Sequence, residues 1–207
     1  MAKYKTDRRN IAIFGGTFDP IHLGHLLIAQ QALSFFSLDE VIFMPAGIPP
    51  HKNKKGLTPS DKRLKMVKKA IRDNPSFSCS DYEFKKEGCS YTADTLRYFK
   101  QLQIADKIYL IIGADSLLQI FSWQEPRYLL KNGYFIVARR PGFELNGVLA
   151  KDKYSPYRKR IFIMDMIETG FSSTLIRKLV REGRSIKYQT RDEVVDYINR
   201  HALYRGD

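Results

Sequence analysis

Residues 10–25 read Asn-Ile-Ala-Ile-Phe-Gly-Gly-Thr-Phe-Asp-Pro-Ile-His-Leu-Gly-His. The apolar run Ile11-Ala12-Ile13-Phe14 stops at Gly15-Gly16, the pattern of a buried strand entering a tight turn. Beyond the turn, apolar residues recur at Leu23, Leu26, Leu27, Leu33 and Phe36, a spacing that suits an amphipathic helix. Asp39-Glu40 then leads into Val41-Ile42-Phe43-Met44, a second buried-type strand ended by Pro45. The opening is therefore strand, helix, strand.

The same alternation continues outward. Residues 61–73 read as a helix with Leu64, Val67 and Ile71 on one face and Lys or Arg on the other. Residues 77–84 read as extended and 92–103 as a helix carrying Leu96, Phe99 and Leu102. Residues 108–112 and 134–138 are further strands, the first followed by Gly113 and the second by Arg139-Arg140-Pro141-Gly142. Residues 142–157 are the most loop-like. Residues 172–182, capped by Ser172 or Ser173, and 192–201 form a small C-terminal helical segment. The fold class is α/β: a doubly wound, mostly parallel sheet with helices on both faces. In such sheets ligands bind at the carboxyl ends of the strands. The turns after the strands, at residues 15–25, 45–52, 113–115 and 139–142, should therefore share one edge.

The chain has 207 residues, 43% hydrophobic and 28% charged, which suits one domain with a substantial core. Residues 1–9 form a basic N-terminal extension expected to be frayed, and residues 10–207 a single domain. With 35 Lys plus Arg against 22 Asp plus Glu, the net charge is +13. That excess suits anionic partners, whether phosphorylated metabolites or a polyanion, and equally a Lys-rich surface kept for solubility. A nucleic-acid-binding module is the rival class, but the basic residues are scattered and no RNP, KH or zinc-finger pattern appears. Cys79 and Cys89 form no CxxC motif, as expected of reduced cytosolic thiols. No stretch has the ~18 apolar residues of a membrane span. A cytoplasmic protein is the expectation, with no membrane and no nucleic-acid partner, and a homo-oligomer is compatible with the sequence.

The strand-to-helix turn carries the chemistry. The helix that follows aims unpaired N–H groups at the turn and makes an anion site. Neither GxxxxGK[ST] nor GxGxxG is present. The turn offers instead His22 and His25, at i and i+3, which can face one ligand and donate to phosphate oxygens as charge builds up during transfer. A zinc reading lacks a third ligand, and no metal site is expected in the protein itself.

GTFDPIHLGH resembles the TFDxxHxGH signature of the nucleotidylyltransferase superfamily, and Phe171-Ser172-Ser173-Thr174-Leu175-Ile176-Arg177 resembles its SSTxIR motif. The intervening segments Pro49-Pro50-His51-Lys52, Ser90-Tyr91-Thr92-Ala93-Asp94-Thr95, Gly113-Ala114-Asp115 with Trp123, and Arg140-Pro141-Gly142-Phe143 are similar to those of bacterial nicotinate mononucleotide adenylyltransferases. The resemblance runs from Ile11 to the C-terminus. It implies a Rossmann-like fold and transfer of AMP from ATP to nicotinate mononucleotide, giving deamido-NAD and pyrophosphate in NAD biosynthesis. The nearest alternative is a sister enzyme acting on another phosphorylated acceptor, nicotinamide mononucleotide or phosphopantetheine.

The resemblance also implies roles. His22, His25 and Arg177 are the candidate catalytic residues. Gly15, Gly16, Thr17 and Phe18, through their backbone, join Lys52, Ser172, Ser173 and Thr174 as ATP contacts. Trp123 can stack on the electron-poor pyridinium, and Thr92 can donate to the nicotinate carboxylate. Asp115 is a candidate for a ribose hydroxyl, and Arg139 or Arg140 for the acceptor's phosphate. Mg²⁺ should arrive with ATP, bridging phosphate oxygens and water.

Overall fold

The computed structural model describes residues 9–47, 56–86, 88–139, 145–167 and 169–205, with the backbone alone at Asn146. The elements run β1 (Asn10–Gly16), α1 (Leu23–Phe35), β2 (Glu40–Pro45), α2 (Ser60–Ile71), β3 (Phe77–Cys79), α3 (Tyr82–Lys85), α4 (Thr92–Gln101) and β4 (Lys107–Gly113). They continue with α5 (Ala114–Leu118), α6 (Pro126–Asn132), β5 (Tyr134–Arg139), α7 (Asn146–Leu149), β6 (Ile161–Asp165), α8 (Ser173–Arg181) and α9 (Asp192–Arg200). Short 3-10 segments occupy Ile120–Ser122 and Asp152–Arg160.

All six strands pair in parallel, in the order β3-β2-β1-β4-β5-β6. The chain winds outward from β1 to β3, returns beside β1 as β4, and winds outward the other way. The order thus reverses between β1 and β4, where a crevice opens at the strand ends. The register sets Phe14 opposite both Phe43 and Ile111. Gly15, Gly16, Pro45 and Gly113 therefore finish at one edge, as the positions of the turns require.

Alternation along each strand builds two cores. Ala12, Phe14, Val41, Phe43, Tyr109, Ile111, Ile136 and Ala138 face α1, α2, α8 and α9. Ile11, Ile13, Ile42, Met44, Leu110, Ile112, Phe135 and Val137 face α4, α5, α6 and Tyr154. With both faces covered, the strands read as unbroken apolar runs.

Several expectations change in detail. In α1 the buried residues are Gly24, Ala29 and Ala32, and the leucines and Phe36 pack at its margins. Small residues let this helix approach the sheet closely. The extended segment expected at 77–84 ends at Cys79. There Ser80 Oγ accepts from Tyr82 N–H at 3.2 Å, a local bond that starts α3 in place of further strand. Arg63 does not lie on a solvated face of α2 but is 1% exposed. Strand β6 and helix α6 are additional to the expected elements, and the loop-like stretch contains α7 and a 3-10 segment anchored by the fully buried Tyr154, whose hydroxyl donates to Leu117 O at 2.9 Å. Residues 1–8 of the expected extension lie outside the described residues. Arg9 pairs with Glu40 at 3.0 Å.

Candidate active site

The turn after β1 is shaped by one aromatic residue. Phe18 adopts a left-handed backbone, φ 49°. That conformation costs a residue with a Cβ about 1–2 kcal/mol. Its ring is 1% exposed and packs edge-on to Phe14, with centroids 5.6 Å apart. Burial of such a ring, worth about 2–3 kcal/mol, offsets the strain. The ring thus sits in the core behind Gly15 and Gly16, which line the cleft. A Cβ at Gly16 would stand 2.8 Å from that ring, so the residue behind Phe18 must be small.

His22 caps α1 with an extended backbone and is 8% exposed. Its ring stacks on that of His25, with centroids 3.6 Å apart and planes 25° from parallel. His25 Nδ1 accepts from the His22 backbone N–H at 3.2 Å. In neutral His25 the proton therefore sits on Nε2, the nitrogen left to donate to a ligand. Burial, and then the neighbouring His22, hold His25 well below the usual imidazole range. His25 is therefore neutral near pH 7, with Nε2–H as its free donor.

Helix α8 docks on the same turn. Ser172 is its cap, its Oγ accepting from Leu175 N–H at 3.1 Å. Ser173 Oγ donates to Pro20 O at 2.8 Å. Arg177 Nη1 donates to Asp19 O at 2.6 Å, and Nη2 lies 3.4 Å from Thr174 Oγ1. The two ends of the chain meet here as the two motifs require, with Arg177 one turn inside α8 and against the loop.

Two adjoining clefts open at the switch point. One, of about 230 Å³, is lined by His22, Gly24, Asp115, Ala138, Thr169 and Phe171, among others. The second, of about 210 Å³, is lined by Gly15, Gly16, Glu83, Ser90, Thr92 and Trp123, among others. Phe14, Ile111, Ile112 and Gly113 line both. Thr92 is the first residue of α4, whose N–H groups face outward from that end. Trp123 is half-buried against the core beneath. Asp115 is exposed and belongs to the histidine cleft rather than to the cleft of Trp123. Arg139 lines neither cleft in these linings, and its Nε donates to Asp165 Oδ1 at 2.6 Å. Lys52 and Arg140 lie outside the described residues.

Residues without a sequence signal line the second cleft and support the turn. Glu83 is 9% exposed and accepts from Thr95 Oγ1 at 2.8 Å. Burial pushes its carboxyl up, against hydrogen bonds from Thr95, Ser90 and the Gly47 backbone. Asp19, Arg63 and Tyr204 lie beneath the turn. Asp19 sat inside the quoted motif, whereas Arg63 is hidden in a Lys-rich helix and gives no signal of its own. Among the described residues, no group of three or more His, Cys, Asp or Glu is placed to hold a metal ion, and no helix is long and apolar enough to cross a membrane.

The geometry is that of a nucleotide-transferring α/β enzyme, and the chain belongs to the cytidylyltransferase-like family, which it matches over residues 13–179. It is 44% identical over 201 residues to a probable nicotinate-nucleotide adenylyltransferase of Clostridium perfringens, covering 96% of this chain and 100% of that one. It is 42% identical to a protein of the same description from Desulfitobacterium hafniense, over 95% of this chain and 96% of the other. The fold matches that of a Plasmodium falciparum nicotinic acid mononucleotide adenylyltransferase complexed with NaAD, at TM-score 0.77 and 23% identity, covering 95% of this chain and 98% of that one.

Proposed function

We propose that this chain is a nicotinate-nucleotide adenylyltransferase, transferring AMP from ATP to nicotinate mononucleotide to give deamido-NAD and pyrophosphate, a cytoplasmic step of NAD biosynthesis. The observation that carries this reading is the floor shared by the two clefts. Phe14, Ile111, Ile112 and Gly113 line both the cleft of His22 and the cleft of Trp123 and Thr92. Two nucleotides, one in each cleft, would therefore meet over Phe14 and Gly113, beside Gly15 and Gly16 of the second cleft. The likeness to nicotinate-nucleotide adenylyltransferases over nearly the whole chain supports the choice of acceptor.

The acceptor's phosphate oxygen attacks the α-phosphorus of ATP in line. A new P–O bond forms as the bond to the β-phosphate breaks, and pyrophosphate leaves with that electron pair. Phosphate is already a nucleophile at neutral pH, so catalysis is positioning and charge stabilisation. His25 Nε2–H and His22 donate to the ATP phosphates as charge shifts toward the leaving group, and Arg177 adds a fixed positive charge at the same turn. The backbone at residues 15–18 lies along the nucleotide, with Ser172, Ser173 and Thr174 at the α8 N-terminus beside it. Trp123 stacks on the pyridinium, and the Thr92 end of α4 receives the carboxylate. Asp115 takes a ribose hydroxyl and Arg139 or Arg140 the acceptor phosphate. Around the turn the described donors are N–H groups and imidazoles. That set would hold the ATP phosphates rather than a metal directly, and Mg²⁺ arriving with ATP would supply charge neutralisation to the phosphates.

The test is pyrophosphate release from ATP and Mg²⁺ with nicotinate mononucleotide, its amide, phosphopantetheine and glycerol 3-phosphate offered separately. Nicotinate mononucleotide should be preferred, and His25→Ala should lower turnover about 100-fold, the ~3 kcal/mol of one well-placed donor. Equal turnover with phosphopantetheine, or none with either pyridine nucleotide, would overturn the assignment.

A further inference from the structure

Beneath the phosphate-side turn lies a buried network that the reaction itself does not use. Asp19 is 4% exposed, and both its carboxylate oxygens are engaged from within the protein. Oδ1 accepts from the Tyr204 hydroxyl at 2.6 Å, and Oδ2 from Thr58 N–H at 3.2 Å. The main-chain oxygen of the same residue accepts from Arg177 Nη1 at 2.6 Å. Asp19 is therefore the junction between the last described turn of the chain and the arginine facing the phosphates.

Arg63 forms the base of the network. It is 1% exposed, with Nε donating to Thr58 O at 2.9 Å, Nη1 to Thr17 O at 2.8 Å and Nη2 to Gly47 O at 3.3 Å. Thr17 follows Gly16 and Gly47 follows Ala46, and both Gly16 and Ala46 line the second cleft. One planar guanidinium thus sets the separation of the two strand ends that flank the ligands. An ammonium group on a flexible stem does not span three carbonyls in this way. Burial lowers the proton affinity of this guanidinium, and the carboxylate of Asp19 offsets part of that cost.

Tyr204 is held at the junction at some cost. Both it, at φ 63°, and Ala202, at φ 48°, adopt the left-handed backbone that side chains disfavour. Its ring packs against the core, and its hydroxyl is pushed up by burial and by Asp19, so it remains a donor at any ordinary pH. Thr190 Oγ1 adds a parallel tie, donating to Ile21 O at 2.7 Å. The C-terminal segment thus grips the turn at two points, Asp19 and Ile21.

We propose that Tyr204 is a positioning residue for AMP transfer: through the carboxylate of Asp19 it holds the backbone that orients Arg177, on the fixed base provided by Arg63. The proposal rests on the adenylyltransferase reading of the site. A purely structural tether would stabilise the tail without being coupled to Arg177.

The test is Tyr204→Phe, which removes one hydroxyl and keeps the packed ring, alone and combined with Arg177→Ala. ATP affinity, read by calorimetry without acceptor, needs no turnover. The kcat and the KM for the acceptor are read separately. Tyr204→Phe should weaken ATP binding about fivefold and lower kcat about tenfold, with acceptor KM within twofold. In the Arg177→Ala background the same change should cost less than twofold, because coupled groups are not additive. Wild-type values of both ATP affinity and kcat in Tyr204→Phe would overturn the proposal. So would an equal loss in both backgrounds. A wild-type protein that binds ATP with this coupling but releases no pyrophosphate would count against the assigned reaction and leave the network standing.

Discussion

Gly24 lies between the two histidines and faces the ring of the first. A Cβ there would stand 3.1 Å from His22 Nδ1, 3.2 Å from His22 Cε1 and 3.3 Å from Phe171 Cβ. Non-bonded contacts settle at about 3.5–4.0 Å, so Gly24→Ala must push the imidazole back by about 0.4 Å. His22 cannot yield freely, because its ring is stacked at 3.6 Å on His25. The backbone raises no objection: Gly24 is helical, and alanine favours a helix interior by up to about 1 kcal/mol. The two effects on stability oppose each other, so Tm should stay within about 2–4 °C of wild type, the width of 1 kcal/mol in a chain of this size. Activity should not be spared. A misplacement of about 1 Å can cost about 100-fold, so a shift of about 0.4 Å is expected to lower kcat about sixfold. The assay is pyrophosphate release at saturating ATP and nicotinate mononucleotide, with thermal unfolding on the same preparation. A kcat within twofold of wild type would refute the claim that the ring position of His22 matters. A Tm drop beyond 10 °C would show instead that the helix, not the imidazole, gave way.

Gly47→Ala should behave in the opposite way, failing through stability. Its Cβ would meet the Glu83 main-chain oxygen at 2.2 Å and Ser90 Oγ at 2.9 Å, and a backbone atom cannot rotate aside. A cost of about 2–3 kcal/mol is expected, read as a fall in Tm of about 4–12 °C, and an unchanged melting curve would contradict it. For His25 the folded pKa lies below the unfolded value of about 6.5, so the unfolded chain takes up the proton first. Stability from this group is present above pH 6.5 and is lost as pH falls through 6.5 toward the folded pKa, at up to about 1.4 kcal/mol per pH unit. Urea unfolding between pH 7.5 and 5.5 should show that slope in wild type and a shallower one in His25→Gln; a steeper slope in the variant would reverse the sign. Burial pushes the Cys79 thiol up to about 12. Only about one molecule in 10⁴ carries the thiolate at pH 8, so iodoacetamide should leave Cys79 unmodified in the native protein over hours and label it once the chain is unfolded. Mapping by peptide mass decides it.

The sequence shows the centre of the sheet well and its edge poorly. Strands β1, β2, β4 and β5 are covered on both faces, so each is an apolar run stopped by Gly, Pro or Arg, and a run of that kind is visible without any partner. Strand β6 is an edge. Ile161 and Met164 are buried there while Phe162 and Ile163 are only half-buried, and Arg158, Lys159 and Arg160 run straight into it with no turn residue to mark the start. The catalytic segments are legible for a related reason. A strand-to-helix turn must carry its chemistry on consecutive residues, which is why Gly15, His22 and His25 fall within one short stretch.

The supports of the site follow a different logic. Arg63 donates to Thr17 O, Gly47 O and Thr58 O, and Ser173, Arg177 and Thr190 donate to Pro20 O, Asp19 O and Ile21 O. Every acceptor is a main-chain carbonyl, which any residue supplies, so the sequence carries the donor and leaves no trace of its target. The separations, 153 residues for Ser173 to Pro20 and 169 for Thr190 to Ile21, remove any local spacing that could have given the pairing away. Such bonds also explain how the turn can differ in rigidity from an ordinary surface loop. A loop whose carbonyls at 17, 19, 20 and 21 are held by side chains from α2, α8 and the segment before α9 has a fixed backbone. Under the proposed reaction, preorganisation of that kind would let the neutral His25 act as a strong donor, because its dipole needs no rearrangement when charge develops on the phosphates.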